Sequence, residues 1–255
     1  MSARRRLLLA VLVPTVALAA GAFLGFRAGT ANALHAMVGE NDPLARATHA
    51  LRYAFGVEGF NGIYGQDLWI LNTVYPTLKD GYFVDVGSAD GELISNTRRL
   101  EDAGWTGICV DPFPRNMQRR TCKTFAEAVD SEPGRTVRFQ KPGDFGGGIV
   151  DYAGWWVSDK DKGKAVELKT TTIGDILQRA NAPAYIHYLN IDIEGAEYEA
   201  LKVFPFDSYR IGAITIEHNN IEERRKQLRA LLENHGYRLE WAIRDQDWYV
   251  PKSRP

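Results

Sequence analysis

Four short apolar runs, each followed by a stretch of helical periodicity, leave this chain few architectures. They are "GYFVDVG", "WTGICVD", "AYIHYLNIDIEG" and "RIGAITIEHN". An apolar run of this length bounded by turn residues suits a strand buried on both faces, and strands alternating with helices imply right-handed crossovers onto a mostly parallel sheet. The intervening helices are expected over "GQDLWILNTVYPTL", stopped near Pro76, "ELISNTRRLEDAG", ending at Gly104, "TTTIGDILQRA", "AEYEALKVF" and "IEERRKQLRALLENHG", capped by Gly236. Upstream, "VGENDPLARATHALRYAFG" also has apolar residues at helical spacing. A helical turn around "RNMQRR" and strands near "TFAEAV" and at "RTVRFQ" come next, and the glycine-rich "KPGDFGGGIVDYAGWW" reads as a loop. At the end, "YRLEWAIR" and "DWYV", joined by "DQ", read as a hairpin that adds an antiparallel strand. The expected fold class is α/β, a doubly wound, mostly parallel sheet.

The N-terminus is a separate matter. Arg4, Arg5 and Arg6 precede an apolar run from Leu7 to Phe26. Roughly 20 such residues at about 1.5 Å rise would cross a hydrocarbon core of about 30 Å, so residues 1–33 are expected to form a transmembrane signal anchor. The alternative is a cleaved signal peptide, since "ANA" at Ala31 to Ala33 has the small-x-small form of a cleavage site. The three arginines outweigh Arg27 on the far side, which places the N-terminus in the cytoplasm and the folded domain on the non-cytoplasmic side. Residues 34–64 read as a connector with a helix and 65–255 as the main domain. With 31 basic and 32 acidic residues the chain has no global field to draw it to nucleic acid, which is not an expected partner. Cys109 and Cys122 fit no recurring zinc spacing; they read as two buried thiols, with a single disulfide as the alternative.

In a sheet of this kind ligands bind beyond the carboxyl ends of the strands, where the strand order reverses. The first strand leads there into "GSADG", Gly87 to Gly91. Glycine lets the backbone turn tightly and approach a ligand. Asp111 ends the second strand, 20 residues past Gly91, where an acid can accept both hydroxyls of a ribose. The turn lacks the G-x-G-x-x-G of a dinucleotide site, and Asp85 and Asp90 would repel a pyrophosphate. They favour a cationic ligand with a ribose, such as S-adenosylmethionine. The plainer reading is a βα turn in which Asp90 caps the helix that follows.

These residues carry a resemblance. "GQDLW", "FVDVGSADG" with "SNT", "GICVDPFP", "LNIDIEGAEYEAL" and "ITIEHN" occur in that order, and the stretch from about Gly65 to Tyr237 resembles FkbM-type S-adenosylmethionine-dependent methyltransferases. Ala89 stands where that family usually has Asn, and Gly62 and Ile63 where it often has a Ser-Gln pair. The resemblance implies a class I methyltransferase (Rossmann-like) fold. It implies S-adenosylmethionine held around Asp85, Gly87, Ser88, Asp90, Gly91, Asp111 and Asp192, with Asp67 and Asn96 near it. It also implies a small-molecule acceptor methylated on the hydroxyl of a sugar or other metabolite.

Methyl transfer needs an acceptor atom in line with the sulfonium methyl, and a hydroxyl must shed its proton. Asp192 and Glu194, two apart, share a face if their strand continues through Glu194, and "EHN", Glu217 to Asn219, ends the next strand. Two readings compete. His218 is a candidate general base, beside the catalytic candidates Asp192 and Glu194. Alternatively Asp192, Glu217 and Asn219 hold a divalent cation, Mg or Ca, an arrangement that resembles metal-dependent catechol-type methyltransferases. A purely structural role, with Glu194 and Glu197 capping the helix that begins at Gly195, is the third. His187, inside an apolar strand, reads as a core residue. A membrane-anchored binding protein that keeps the fold without the reaction is the rival to an enzyme, and a nucleotide-dependent oxidoreductase a further one.

Overall fold

The computed structural model describes residues 61–140, 146–152 and 165–253. The expected anchor, and the helix expected over "VGENDPLARATHALRYAFG", lie outside these; among the described residues no helix is long and apolar enough to cross a membrane.

The main sheet has seven strands. β1 (Tyr82–Val86), β2 (Thr106–Val110), β3 (Lys123–Phe125), β9 (Tyr188–Ile191) and β11 (Ile214–Glu217) pair in parallel. β12 (Tyr237–Ile243) and β13 (Gln246–Pro251) form the hairpin, with β13 antiparallel to β11. The order across the sheet is β12-β13-β11-β9-β1-β2-β3. The chain runs outward from β1 through β2 and β3, then returns to lay β9 and β11 on β1's other side. The order therefore reverses between β1 and β9, and a crevice opens at their carboxyl ends.

Alternate residues of these strands feed two cores. Val84, Val86, Ile108, Leu189, Ile191 and Ile216 face one layer of helices, α3 (Ile173–Ala180), α4 (Glu197–Lys202) and α5 (Glu222–Asn234). Phe83, Cys109, Tyr188 and Trp248 face the other, with Trp69 and Ile70 from α1 (Gln66–Trp69) and the π-turn that extends it (Ile70–Val74), and Leu100 from α2 (Arg98–Asp102). Helices on both faces explain why the central strands read as unbroken apolar runs. α3 starts at Thr172, whose hydroxyl accepts the Asp175 amide at 3.1 Å, an N-cap of the expected kind. A smaller sheet is built from β4 (Ala128–Val129), β7 (Val166–Thr171), β5 (Thr136–Gln140) and β6 (Gly148–Ile149), in that spatial order. β8 (Tyr185–Ile186) and β10 (Arg210–Ile211) make a short parallel pair.

Several expectations need correction. The helix expected over Glu92 to Gly104 begins only at Arg98. Asp90 takes the amides of Glu92 and Leu93, Ser95 takes those of Thr97 and Arg98, and Ile94 turns left-handed at φ 47, so local side-chain bonds displace the first helical turns. The strand expected to continue through Glu194 stops at Ile191, because Glu194 (φ 57) and Gly195 (φ 124) turn the chain. "TFAEAV" divides between the two sheets as β3 and β4, the glycine-rich loop contains β6, and β7 has no counterpart among the expected strands. The hairpin turn is Arg244–Asp245, one residue earlier than "DQ". The two thiols are a disulfide, Cys109–Cys122, because parallel pairing of β2 and β3 brings their Cα atoms to 5.8 Å.

Candidate active site

At the reversal point the strand ends open into a cleft of about 230 Å³. Asp85, Asp111, Asp192, Glu194, Glu217 and Asp245 line it, and among the described residues no Lys, Arg or His does. A smaller pocket of about 30 Å³ adjoins it, walled by Val86, Val110, Pro112, Val129, Phe139 and Ile149, with Glu127 also in its lining. Gly87, Asp111, Phe139, Gly147 and Asp192 belong to both linings. An apolar recess thus meets an acidic cleft at Asp111.

Each predicted residue has a definite place. Asp85, 1 % exposed, accepts Thr97 Oγ1 at 2.6 Å and Asn190 Nδ2 at 2.9 Å, and burial pushes its carboxyl above the usual range. Gly87 at φ 92 turns the chain, its amide on the Val110 carbonyl at 2.8 Å. Asp111 accepts the amides of Ala89 at 3.0 Å and Phe113 at 2.7 Å, so it is oriented by the turn it serves; burial raises it as well. Ser88 and Asn96 both line the cleft, and Ser88 Oγ and Asn96 Oδ1 are buried without hydrogen-bond partners. Buried polar atoms in native folds are nearly always satisfied, and these two oxygens are left open to donors from within the cleft.

Asp90, Gly91 and Asp67 lie outside the lining. Asp90 holds the loop: although burial works against it, bonds from Leu93, Glu92 and Asn116 keep its carboxyl below the usual range. Gly91 is a packing glycine. A Cβ there would meet Asn116 O at 2.7 Å, Met117 Sδ at 2.8 Å and Arg120 Cγ at 3.0 Å. Asp67, buried beneath Gly62, takes the amides of Asn61 and Leu68, and burial pushes it up to about 6. Gly62 cannot gain a side chain without displacing Gln66 Oε1, which would lie 2.7 Å from an added Cβ, and this is a local reason for glycine where the family resemblance has serine.

Asp192, Glu194 and Glu217 converge, with one oxygen from each lying within 4.8 Å of the others. The meeting is made by the turn after β9 rather than by strand periodicity. Asp192 accepts Gln246 Nε2 at 3.3 Å, Glu194 accepts Asn219 Nδ2 at 3.4 Å, and Glu217 Oε2 is buried without a partner. Burial first, and neighbouring carboxylates second, push all three above the usual range. Glu197 acts structurally: its Oε1 accepts the Ile193 and Gly195 amides, both at 3.0 Å, and fixes the turn.

His218 and Asn219 are not brought into the cleft. His218, 2 % exposed, lies on the opposite face of the sheet, accepting the Asn220 amide on Nδ1 with Nε2 3.8 Å from Asp247 Oδ1; burial lowers its pKa. Asn219 Oδ1 is taken by Arg224. His187, expected in the core, is only half-buried, with its Nδ1 accepting the Tyr82 amide at 3.0 Å.

Sequence reasoning missed Gln246, Asp245 and Phe139 in the cleft. Gln246 opens β13 opposite Glu217 in register, and placing the hairpin turn one residue earlier would have shown it. A family model described as the Methyltransferase FkbM domain matches residues 85–239. No curated protein matches the chain.

Proposed function

Since the chain belongs to the FkbM methyltransferase family, we propose that it moves a methyl group from S-adenosylmethionine to a hydroxyl of a small-molecule acceptor, a sugar or other metabolite. The observation that carries this reading is the junction at Asp111 of an apolar recess and a cleft whose charged lining, among the described residues, is acidic alone. The apolar walls of the recess suit the edge of a flat base, Asp111 suits a ribose, and the cleft suits a ligand with positive charge. At the cofactor end a diphosphate would meet the carboxyl groups of Asp85 and Asp111 and, among the described residues, no lining Lys, Arg or His, which disfavours a nicotinamide or flavin dinucleotide. Bound there, S-adenosylmethionine supplies an electrophilic methyl on sulfonium. Ser88 Oγ and Asn96 Oδ1 stand ready for the ligand's polar groups, and Asp192 borders both cavities.

The acceptor end is the Asp192, Glu194 and Glu217 cluster. Three hard oxygens within 4.8 Å, one of the carboxylates having a partnerless oxygen, fit a divalent cation; two oxygens across a calcium at about 2.4 Å would lie about 4.8 Å apart. Mg or Ca held there would lower the pKa of an acceptor hydroxyl. Glu194 replaces Asn219 in the ligand set, because Asn219 is committed to Arg224. His218 has no part in this reading, being on the other face of the sheet.

Calorimetric titration of the full-length protein in mild detergent with S-adenosylmethionine, and separately with NADH, tests the cofactor. Binding of the first that is lost in Asp111→Ala is expected; binding of NADH alone would overturn the reading. Methyl-labelled cofactor added with host extract then separates an enzyme from a binding protein, and loss of labelling with EDTA, restored by Mg or Ca, separates cation-assisted transfer from proton transfer to the carboxylates alone. Placement of the domain on the non-cytoplasmic side, behind a membrane anchor, is supported by the buried disulfide, which suits an oxidising compartment.

A further inference from the structure

One buried cation stands behind the cleft without touching it. Arg120, whose side chain is 0 % exposed, is absent from the lining, yet its guanidinium reaches three points on the loop that carries Leu93, Ile94, Ser95 and Asn96 into the cleft. Nη1 donates to Gly91 O at 3.2 Å and to Ser95 Oγ at 3.0 Å, and Nη2 donates to Thr97 Oγ1 at 2.8 Å. Thr97 Oγ1 in turn donates to Asp85. Between Gly91 and Thr97 there is neither helix nor strand, and the loop includes Ile94 at φ 47, a conformation unfavourable for a β-branched residue that persists only where surroundings impose it. Gly91 itself lies on the Arg120 stem, with no room for a Cβ.

Arg120 is held as firmly as it holds. Its Nε donates to Glu101 Oε2 at 2.9 Å in a pair 0 % and 2 % exposed. The other oxygen of Glu101 accepts the Cys122 amide at 2.8 Å and the Thr121 amide at 3.2 Å, so one carboxylate grips the guanidinium and the backbone beside it. Cys122 is then tied by the disulfide to Cys109 in β2, two residues before Asp111. A covalent link and a buried ion pair thereby join the acid at the end of β2 to the loop beyond β1.

We propose that Arg120 is a positioning residue for cofactor binding: braced by Glu101 and the Cys109–Cys122 disulfide, it sets the loop from Gly91 to Thr97 so that Asn96 faces the cleft. The proposal rests on the S-adenosylmethionine reading for its ligand and on geometry alone for the loop. A side chain that merely stabilises the fold would lower global stability and leave affinity in the folded protein unchanged.

The test compares the full-length protein with Arg120→Lys, which keeps a charge for Glu101 but lacks the fork that reaches Gly91, Ser95 and Thr97 together. If the loop is then correctly set about a tenth of the time, the apparent Kd for S-adenosylmethionine rises about tenfold. Without any cofactor, the amides of residues 92–97 should exchange with deuterium about tenfold faster, while those of β1 and β9 keep their protection. Unchanged Kd and unchanged loop exchange, or faster exchange spread evenly over the sheet, would overturn the proposal. Should Arg120→Lys not fold, Glu101→Gln leaves every group of the loop in place and should shift both readouts the same way by about threefold; wild-type values in that variant would overturn it equally. Wild-type protein that fails to bind S-adenosylmethionine would sink the cofactor reading, whereas the exchange measurement would still decide the role of Arg120.

Discussion

Replacing Gly87 by alanine tests how closely β1 and β9 are held where the cleft begins. A Cβ built on Gly87 would stand 1.7 Å from Asp192 O and 2.6 Å from its carbonyl carbon, whereas real Cβ contacts essentially never fall under 3.0 Å. The two strand ends would have to part by roughly 1.3 Å, the difference between 3.0 and 1.7 Å. The bond at that seam is Asp192 N to Val86 O at 2.9 Å, while Gly87 N to Val110 O at 2.8 Å holds the same turn to β2; the displaced turn strains both, and each buried group left unpaired costs about 1–3 kcal/mol. The left-handed φ of 92 adds on the order of 1–2 kcal/mol for any side chain. The unfolded alanine chain is stiffer, which returns about 0.4–1 kcal/mol. The expected net loss is about 4 kcal/mol, at the edge of what single substitutions do. Gly134 is the control, at φ 77 with nothing within 4 Å of a built Cβ, so Gly134→Ala should carry the backbone cost alone, about 1 kcal/mol. Urea unfolding followed by tryptophan fluorescence, which reports on the buried Trp105 and Trp248, reads both variants. A loss for Gly87→Ala within about 1 kcal/mol of that for Gly134→Ala, at unchanged urea dependence, would refute the close seam.

Reducing the disulfide, or Cys109→Ala with Cys122→Ala, should lower stability by about 3 kcal/mol, the chain-entropy value for a loop of this size; equal unfolding midpoints in the presence and absence of reductant would contradict that. Ala89 sits at φ 38, so Ala89→Gly should raise stability by up to about 1 kcal/mol, and a loss in the same urea titration would show that the turn is not left-handed there. Asp67 has its pKa raised to about 6 by burial. Its carboxyl is therefore neutral in the fold at low pH, and its contribution is full below about 4 and lost as pH rises through about 6, by about 3 kcal/mol in all. The stability of the wild type relative to Asp67→Asn should fall by about 2 kcal/mol of this between about pH 4 and pH 7, and a difference independent of pH would refute the shift.

What the sequence disclosed was whatever local pattern controls. The central strands β1, β2, β9 and β11 stood out because a strand covered on both faces must be apolar along its length, and Asp111 stood out because the end of a parallel strand at an order reversal can hardly avoid a ligand crevice. The failures have a common physical cause, long-range placement overriding local pattern. β7 alternates Val, Glu, Leu, Lys over a half-buried face and is a strand only because β5 and β4 lie beside it. Asp192 and Glu194 meet, yet not by sharing a strand face; a left-handed turn held by Glu197 swings Glu194 back. His218 and Glu217 are adjacent in sequence and so point to opposite faces of the sheet, which is why the acid enters the cleft and the histidine does not. Gly91 is the sharpest case. Read in the chain it belongs with Gly87 as a residue that lets a ligand approach, but Cβ space at Gly87 is filled by Asp192 and at Gly91 by Arg120 and its neighbours. Both glycines admit protein rather than ligand, and the site is open because the loop between them and Thr97 is pinned from behind by a buried arginine far away in sequence.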